Sequence, residues 1–298
     1  MKLSPSMREK IVPRSFGTHD GSFHSDEVTA CALLLLFDLI DRDKVHRTRD
    51  LNLLTGYEYV CDVGGIYDPK IKRFDHHQVE YRGNLSSAGM ILKYLLEQKI
   101  VSPELYDYIN NSLVIGIDAH DNGLAKLEPG YSSFSQVISN FLPIEYSAGP
   151  SEFQSAFFQA LDFVYDYLFR LRKRFDYTAG CREKVKKCMD KSRFAMIFDE
   201  PLPWMENFFE LGGESHPALF VVMPTGVHWK IRGIPPSLRD RMKVRQPLPQ
   251  EWAGLHDHDL KKVSRIDGAI FCHKGRFISI WETKEDALKA LQYLLKEI

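Results

Sequence analysis

Nothing in this 298-residue chain is apolar for long: the longest run, CALLLLF at 31–37, falls far short of the ~20 residues a membrane-spanning helix needs. The mean hydropathy of −0.28 agrees, and no membrane segment is expected. The sequence also lacks any CxxC pair. Its five cysteines (Cys31, Cys61, Cys181, Cys188, Cys272) are odd in number, which does not suit a disulfide framework and points to a reducing compartment, read as the cytoplasm. Cys31 and Cys61 sit in apolar runs and read as small buried hydrophobes, Cys181 and Cys188 lie in a charged segment, and none reads as a nucleophile. Charge of one sign is missing too. With 39 Lys and Arg against 40 Asp and Glu, a net charge of −1 argues against a wholesale polyanion binder and leaves only local patches. The opening MKLSPSMREKIVPRSF has scattered charge without an apolar core, so a secretory signal is not expected. There is no internal repeat and no low-complexity tract.

What is present is enough apolar residue, 44%, for about two ordinary domains. From about 14 to 125, strand-like runs alternate with helical ones, the pattern of a mainly parallel sheet flanked by helices. Residues 26–40 read as a helix packed on both sides with Ser25 as N-cap, and 86–98 as a helix capped by Ser86 or Ser87. EYVCDVGG (58–65) and IKRFDHH (71–77) read as short strands ending on an acid. Phe153, Phe157, Leu161, Val164 and Leu168 form a helical stripe over 150–176. Strands are expected at 193–199, 217–223, 227–233, 268–272 and 276–281. A final helix opens on Thr283 and Asp286 in capping-box spacing. The fold expected is α/β: a mainly parallel α/β domain at 1–145, a helical connector at 146–190, and a smaller C-terminal α+β domain at 191–298.

Four polar constellations fall at the ends of these elements. GTHDGSFHSDE (17–27) offers His19, Asp20, His24, Asp26 and Glu27; CDVGG offers Asp62; the third is Asp75-His76-His77; IDAHDNG (117–123) offers Asp118, His120 and Asp121. Each alone has a plain reading as a solvated turn or a helix-capping acid. Together they are harder to explain that way, because ligands of an open α/β sheet gather beyond the carboxyl ends of its strands. Acids and imidazoles brought into one crevice need cations to hold them. The mixed donor set suits Mn²⁺, Co²⁺ or Zn²⁺ better than Mg²⁺, and the number of groups exceeds what one tetrahedral zinc requires. Two ions about 3.5–4 Å apart would share a bridging carboxylate, acidify a water and clamp a phosphoryl oxygen, which is phosphoester hydrolysis.

HDGSFHSDE, DVGGIYDP, RFDHHQ, LSSAGM, DNG, RQPLPQEWAGLHDHDL and TKEDAL, running from 19 to 288, make the chain resemble the DHH phosphoesterase superfamily. Within that superfamily the likeness is to the melanocyte-proliferating-gene exonuclease family. The resemblance implies a DHH-like N-terminal domain with a divalent centre, expected to be two Mn²⁺, and a C-terminal domain that grips substrate. It implies His19, His24, Asp26, Asp62, His76 and Asp121 as ligands, Asp62 as the bridging acid, and Asp118 as a competitor of Asp121. Asp75 and His77 would orient the site or touch phosphate, so the catalytic group is Asp62, Asp75, His76 and His77. Family members are described as 3′-to-5′ exonucleases on RNA, so single-stranded RNA or a short oligonucleotide is the expected partner. The alternatives are an oligonucleotide or nucleotide phosphatase of the same superfamily, and a metal-containing regulatory protein without turnover.

Two basic stretches fit a nucleic-acid substrate. Residues 170–193 hold ten Lys or Arg against three acids, Arg172, Lys173 and Arg174 among them; 230–245 adds Lys230, Arg232, Arg239, Arg241, Lys243 and Arg245 against one acid. Lys230, Arg232, Arg245 and His273 complete the expected substrate-binding set, with Trp229 or Tyr177 available to stack on a base. After His273 the chain departs from the family's paired glycines with Ser279 and Ile280, whose side chains are expected to narrow or reshape the substrate cleft.

Overall fold

In a computed structural model describing residues 11–126 and 128–296, the first sheet is built from Val12–Thr18 (β1), Val45–Arg47 (β2), Tyr57–Cys61 (β3), Tyr67–Asp68 (β4) and Arg73–Phe74 (β5). The opening segment read for a leader lies, as far as residue 10, outside the described residues. The strand order is β2-β1-β3-β5-β4, all neighbours parallel except the β4 edge. The helices around it are Ser25–Leu36 (α1), Ser87–Glu97 (α2), Pro103–Ile109 (α3), Ile115–Asp121 (α4), Phe134–Ser139 (α5) and Pro150–Gly180 (α6). Helix α1 is apolar nearly all round and only Leu35 of it escapes full burial, so its sequence suits the middle of a core. On α6, Phe157, Leu161, Val164 and Leu168 are fully buried in that core; each contributes about 1.5–3 kcal/mol by leaving water.

The chain separates into two compact units, the first ending at Phe175 and the second starting at Asp176. The second carries Arg182–Lys191 (α7), Ala195–Ile197 (β6), Met205–Glu210 (α8), Phe220–Thr225 (β7), His228–Gly233 (β8), Asp257–Ser264 (α9), Ala269–Cys272 (β9), Ile278–Trp281 (β10) and Lys284–Lys296 (α10). Its sheet runs β6-β7-β8-β10-β9, with only β6 and β7 parallel. Alternation along β7 sends Phe220 and Val222 into a core with Trp252, Trp281 and Leu291, and Val221 and Met223 into another with Val185, Met189 and Phe208. Helix α10 starts as its sequence promises: Thr283 Oγ1 accepts from the Asp286 N–H at 3.1 Å.

The expected effect of Ser279 is corrected here. Its side chain is buried in the β10 register opposite Ile231, where its Oγ accepts from Trp281 Nε1 at 2.9 Å, so it fills core and narrows no cleft. Ile280, the next residue, takes the opposite face of the strand, beside Lys230. Cys31 and Cys61 are fully buried and all five cysteines are free. Among the described residues, no helix is long and apolar enough to cross a membrane.

Candidate metal centre

Three adjacent parallel strands end in register, and a metal-binding residue type follows each. Gly17 aligns with Val60 and Cys61 with Phe74, so His19, Asp62 and the Asp75-His76 pair leave the sheet at one edge. This is the crevice beyond the carboxyl ends that a parallel sheet offers to ligands. The loop after β1 then returns through His24 into α1. There the Glu27 carboxylate accepts from the His24 backbone N–H at 2.9 Å, which fixes the start of the helix and faces Glu27 toward His19.

His19 Nε2 lies 3.2 Å from both Asp62 Oδ2 and Glu27 Oε1. His76 Nε2 lies 2.9 Å from Asp121 Oδ2 and 3.4 Å from Asp62 Oδ1. Three groups of donor atoms, each within 4.8 Å, therefore overlap: His19, His24, Glu27 and Asp62; Asp62, His76 and His77; His24, Asp26 and Asp121. Asp62 belongs to two of them, and so does His24. Asp62 reaches its position with φ of 58°, a left-handed conformation in which its carboxylate turns into the crevice as Gly64 and Gly65 carry the chain away.

The electrostatics are those of acids awaiting positive charge. Burial, with Asp62, Glu27 and Asp121 nearby, pushes the Asp26 carboxyl well above the usual carboxylate range. Burial would do the same to Asp62, but the imidazoles of His19 and His76 outweigh it and hold Asp62 well below that range. Burial likewise opposes protonation of the two imidazoles, yet their carboxylate neighbours raise each to about 10. Asp26 Oδ1 is buried without a hydrogen-bond partner among the described residues, and the buried Asp62 Oδ1 meets His76 Nε2 only at 3.4 Å. Orphaned carboxylate oxygens facing imidazole nitrogens in a buried crevice are a donor set that fits divalent cations.

Asp75 does a different job. Its Oδ2 accepts from the Gly65 N–H at 2.6 Å and its Oδ1 from His77 Nδ1 at 2.8 Å, so it fixes both the glycine turn and the exposed His77 ring. That hydrogen bond, working against burial, raises the His77 pKa. Asp118 stands apart from all three donor groups. Its Oδ1 accepts from Ser86 N–H, Ser86 Oγ and Gly89 N–H at 2.9, 2.6 and 3.2 Å, capping α2. A β-carbon on Gly89 would lie 2.2 Å from Asp118 Oδ2, which explains the glycine in LSSAGM. The next serine of that motif turns its N–H to Asp26 Oδ2 at 3.3 Å. Of the two competitors, the fold brings Asp121 to the cluster and engages Asp118 in the cap. His120 joins none of the three groups.

Two residues outside the expected ligand and substrate-binding sets stand in the site. Glu27 reads as an ordinary first-turn acid, and its capping-box bond disguises its second role. Arg49 lines a cavity of about 500 Å³ together with His19, His24, Asp62, Asp75 and His77. Its Nη2 is 3.2 Å from His19 Nδ1 and its Nε 3.4 Å from Asp20 Oδ1. The available signal was positional: Arg49 lies two residues past β2, the fourth parallel strand end.

The expected substrate-binding residues are scattered by comparison. Arg172 and Lys173 lay their charges over Phe37 and Phe169 at 5.0 and 4.6 Å, and Arg174 is exposed on the same helix. Lys230 and Arg232 line a smaller pocket in the second unit. His273 Nδ1 accepts from the Gly275 N–H at 2.9 Å at the turn between β9 and β10. Arg245 is a correction. Its guanidinium donates to the carbonyls of Gly213, His216, Ala218 and Pro235, so it pins loops of the second unit and has no donor directed at a substrate.

The MYG1_exonuc family, described as an uncharacterised protein family (UPF0160), matches residues 15–294. A MYG1 protein of Chlamydia trachomatis is 52% identical over 286 residues, covering 96% of this chain and 98% of its own. The MYG1 exonuclease of Homo sapiens is 32% identical over 335 residues, covering 98% of this chain and 88% of its own. Among solved structures, RecJ of Thermus thermophilus in complex with Mn²⁺ is similar at 12% identity and a TM-score of 0.29. That match covers 98% of this chain, which spans about half, 54%, of the RecJ chain. The chain belongs to the MYG1 exonuclease family.

Proposed function

We propose that the chain is a metal-dependent hydrolase of the nuclease class, and that it removes nucleotides from the 3′ end of single-stranded RNA with two divalent ions, Mn²⁺ by preference. The observation that carries this reading is the sharing of Asp62 between two overlapping donor groups, one built on His19 and Glu27, the other on His76. His19, His24, Asp26, Glu27, Asp62, His76 and Asp121 would hold the ions. Bound there, divalent ions neutralise charge on the phosphoryl oxygens and lower the pKa of a water.

The chain's own residues supply the rest. Asp62, common to two donor groups, would serve both ions, and the buried Asp26 and Glu27 would fix the ligand frame from the first turn of α1. Asp75 holds the Gly64-Gly65 turn open to the crevice and fixes the His77 ring by Nδ1, leaving Nε2 to meet a phosphate oxygen or the leaving group. Arg49, with a side chain 64% exposed, offers a positive charge to the scissile phosphate from the other wall of the cavity. Arg172, Lys173, Arg174, Lys230, Arg232 and His273 are proposed to guide the strand, and the free cysteines support a reducing, cytoplasmic setting.

The test is elemental analysis and phosphodiesterase assay of Asp62→Ala. Metal content is expected to fall and hydrolysis to vanish while the second unit stays folded. Wild-type turnover in that variant would remove the bridging role. Arg172, Lys173 and Arg174 together changed to Glu should weaken RNA binding and spare a small phosphodiester; equal loss on both would remove them from the strand path.

A further inference from the structure

A second cavity, about 240 Å³, opens in the second unit between an apolar wall of Leu202, Trp204 and Met223 and a polar wall of Lys230, Arg232 and Arg241. The polar wall is built by register. Ile231 points into the core with Trp281, so its neighbours Lys230 and Arg232 both project from the other face of β8. Arg241 comes in from the following loop, its Nη2 lying 3.2 Å from Glu206 Oε1.

That arrangement is electrically incomplete. Three cations meet one carboxylate, and the carboxylate is engaged by Arg241. Lys230 has no acid beside it among the described residues, and burial together with Arg232 lowers its pKa. Arg232 Nη2 reaches only the Arg241 carbonyl, at 3.4 Å, and its Nε is buried without a partner. Positive charges held together partly out of water destabilise one another unless an anion joins them.

Size and lining limit what that anion is. The cavity is below the ~300–1,000 Å³ of sites that enclose a drug-sized ligand, so it has room for one phosphoryl group and its neighbour, and of a strand it would take only the end. The neighbour meets Leu202, Trp204 and Met223, and the Trp204 ring is held edge-on to Phe208 at 5.9 Å, a firm apolar surface for a sugar or base.

We propose that this pocket binds a single nucleotide by its phosphate, with Lys230, Arg232 and Arg241 as the phosphate donors and Trp204 and Met223 against the nucleoside. The ligand is a nucleoside monophosphate, either free or at the phosphorylated end of a strand. The choice of a nucleotide over other phosphate monoesters rests on the nuclease reading above; the phosphate site does not.

The experiment is calorimetric titration of the full chain, stripped of metal and kept in chelator, with adenosine 5′-monophosphate, adenosine and inorganic phosphate. The monophosphate is expected to bind, adenosine not to bind detectably, and inorganic phosphate to bind more weakly than the monophosphate. Lys230→Gln and Arg241→Gln should each weaken the monophosphate by roughly tenfold or more, the loss of one charge-assisted contact. The Arg241 side chain is 53% exposed, so its replacement keeps the fold intact. No binding, or binding that neither variant alters, overturns the site; inorganic phosphate binding as tightly as the monophosphate overturns the nucleotide assignment. A short oligonucleotide tested with and without its terminal phosphate distinguishes a strand end from the free nucleotide: a Lys230-dependent gain from the phosphate assigns the strand end. Asp62→Ala separates the two readings, because it should lose hydrolysis and keep this binding.

Discussion

Asp118 and Asp121 sit three residues apart on one short helix but face different work, a helix cap and the donor cluster, which Asp118→Ala tests. In the wild type, Asp118 Oδ1 accepts from two backbone N–H groups and one hydroxyl at the start of α2. The Ser86 hydroxyl can turn to another acceptor, but the Ser86 and Gly89 N–H groups belong to fully buried residues and keep their direction. Leaving a buried donor unsatisfied costs about 1–3 kcal/mol, so the two together cost about 2–6 kcal/mol. For a unit of this size each kcal/mol moves the melting temperature by about 2–4 °C, and a central loss of about 4 kcal/mol gives a fall of about 8–16 °C. Asp118→Asn keeps an acceptor at the same place and should recover most of that. The assay pairs thermal melting with metal content of the folded fraction. Asp118→Ala should melt early and still take up metal, whereas Asp121→Ala should melt within a few degrees of the wild type and take up less. An Asp118→Ala chain with wild-type melting and depleted metal would refute the assignment.

Three further outcomes are expected. Asp75→Ala should retain bound metal but lower hydrolysis by about 10–100-fold, because it frees the Gly65 turn and His77 without removing a ligand; a proportionate loss of metal would make Asp75 a ligand instead. Arg245→Ala should lower second-unit stability by about 2–4 kcal/mol in urea, through five carbonyls losing a donor, and leave RNA affinity unchanged; reduced affinity at unchanged stability would restore it to the substrate path. Glu58 gives a pH test. Burial acts against it, but Lys72 and the Arg14 N–H hold its pKa below the usual carboxylate range, so its stabilising effect is complete above the unfolded pKa and is lost as pH falls through the folded one. The stability gap between wild type and Glu58→Gln should therefore shrink from about pH 7 to about pH 3, and a gap that widens would contradict this.

Much of the centre was legible because its residues follow strands, and strand ends are visible as apolar runs that stop at an acid or an imidazole. His19, Asp62 and the DHH triplet were found that way, and the parallel register brings them together. The second sheet was legible for a related reason, since alternating runs between Gly and Pro punctuation mark strands whichever face they bury. Direction was not legible. Asp118 and Asp121 share a helix face, and only the packing of α2, with Ser86 and Gly89 donating, separates them. Arg245 reads as one more cation in a basic stretch, because composition says nothing of where a guanidinium points. Ser279 looked like an addition to a cleft until its register placed it against Trp281. Glu27 was visible in its constellation but stayed outside the expected ligand set, because a first-turn acid already has a reason to be there.

The measurement that bears most directly on the central claim is turnover of a 5′-labelled single-stranded RNA by the metal-stripped chain after addition of Mn²⁺, Mg²⁺ or Zn²⁺. A Mn²⁺-dependent ladder is expected, shortening one nucleotide at a time with the label retained, absent without metal and absent in Asp62→Ala. Cleavage that persists in chelator or in Asp62→Ala, or none with any ion although the metals bind, would contradict it.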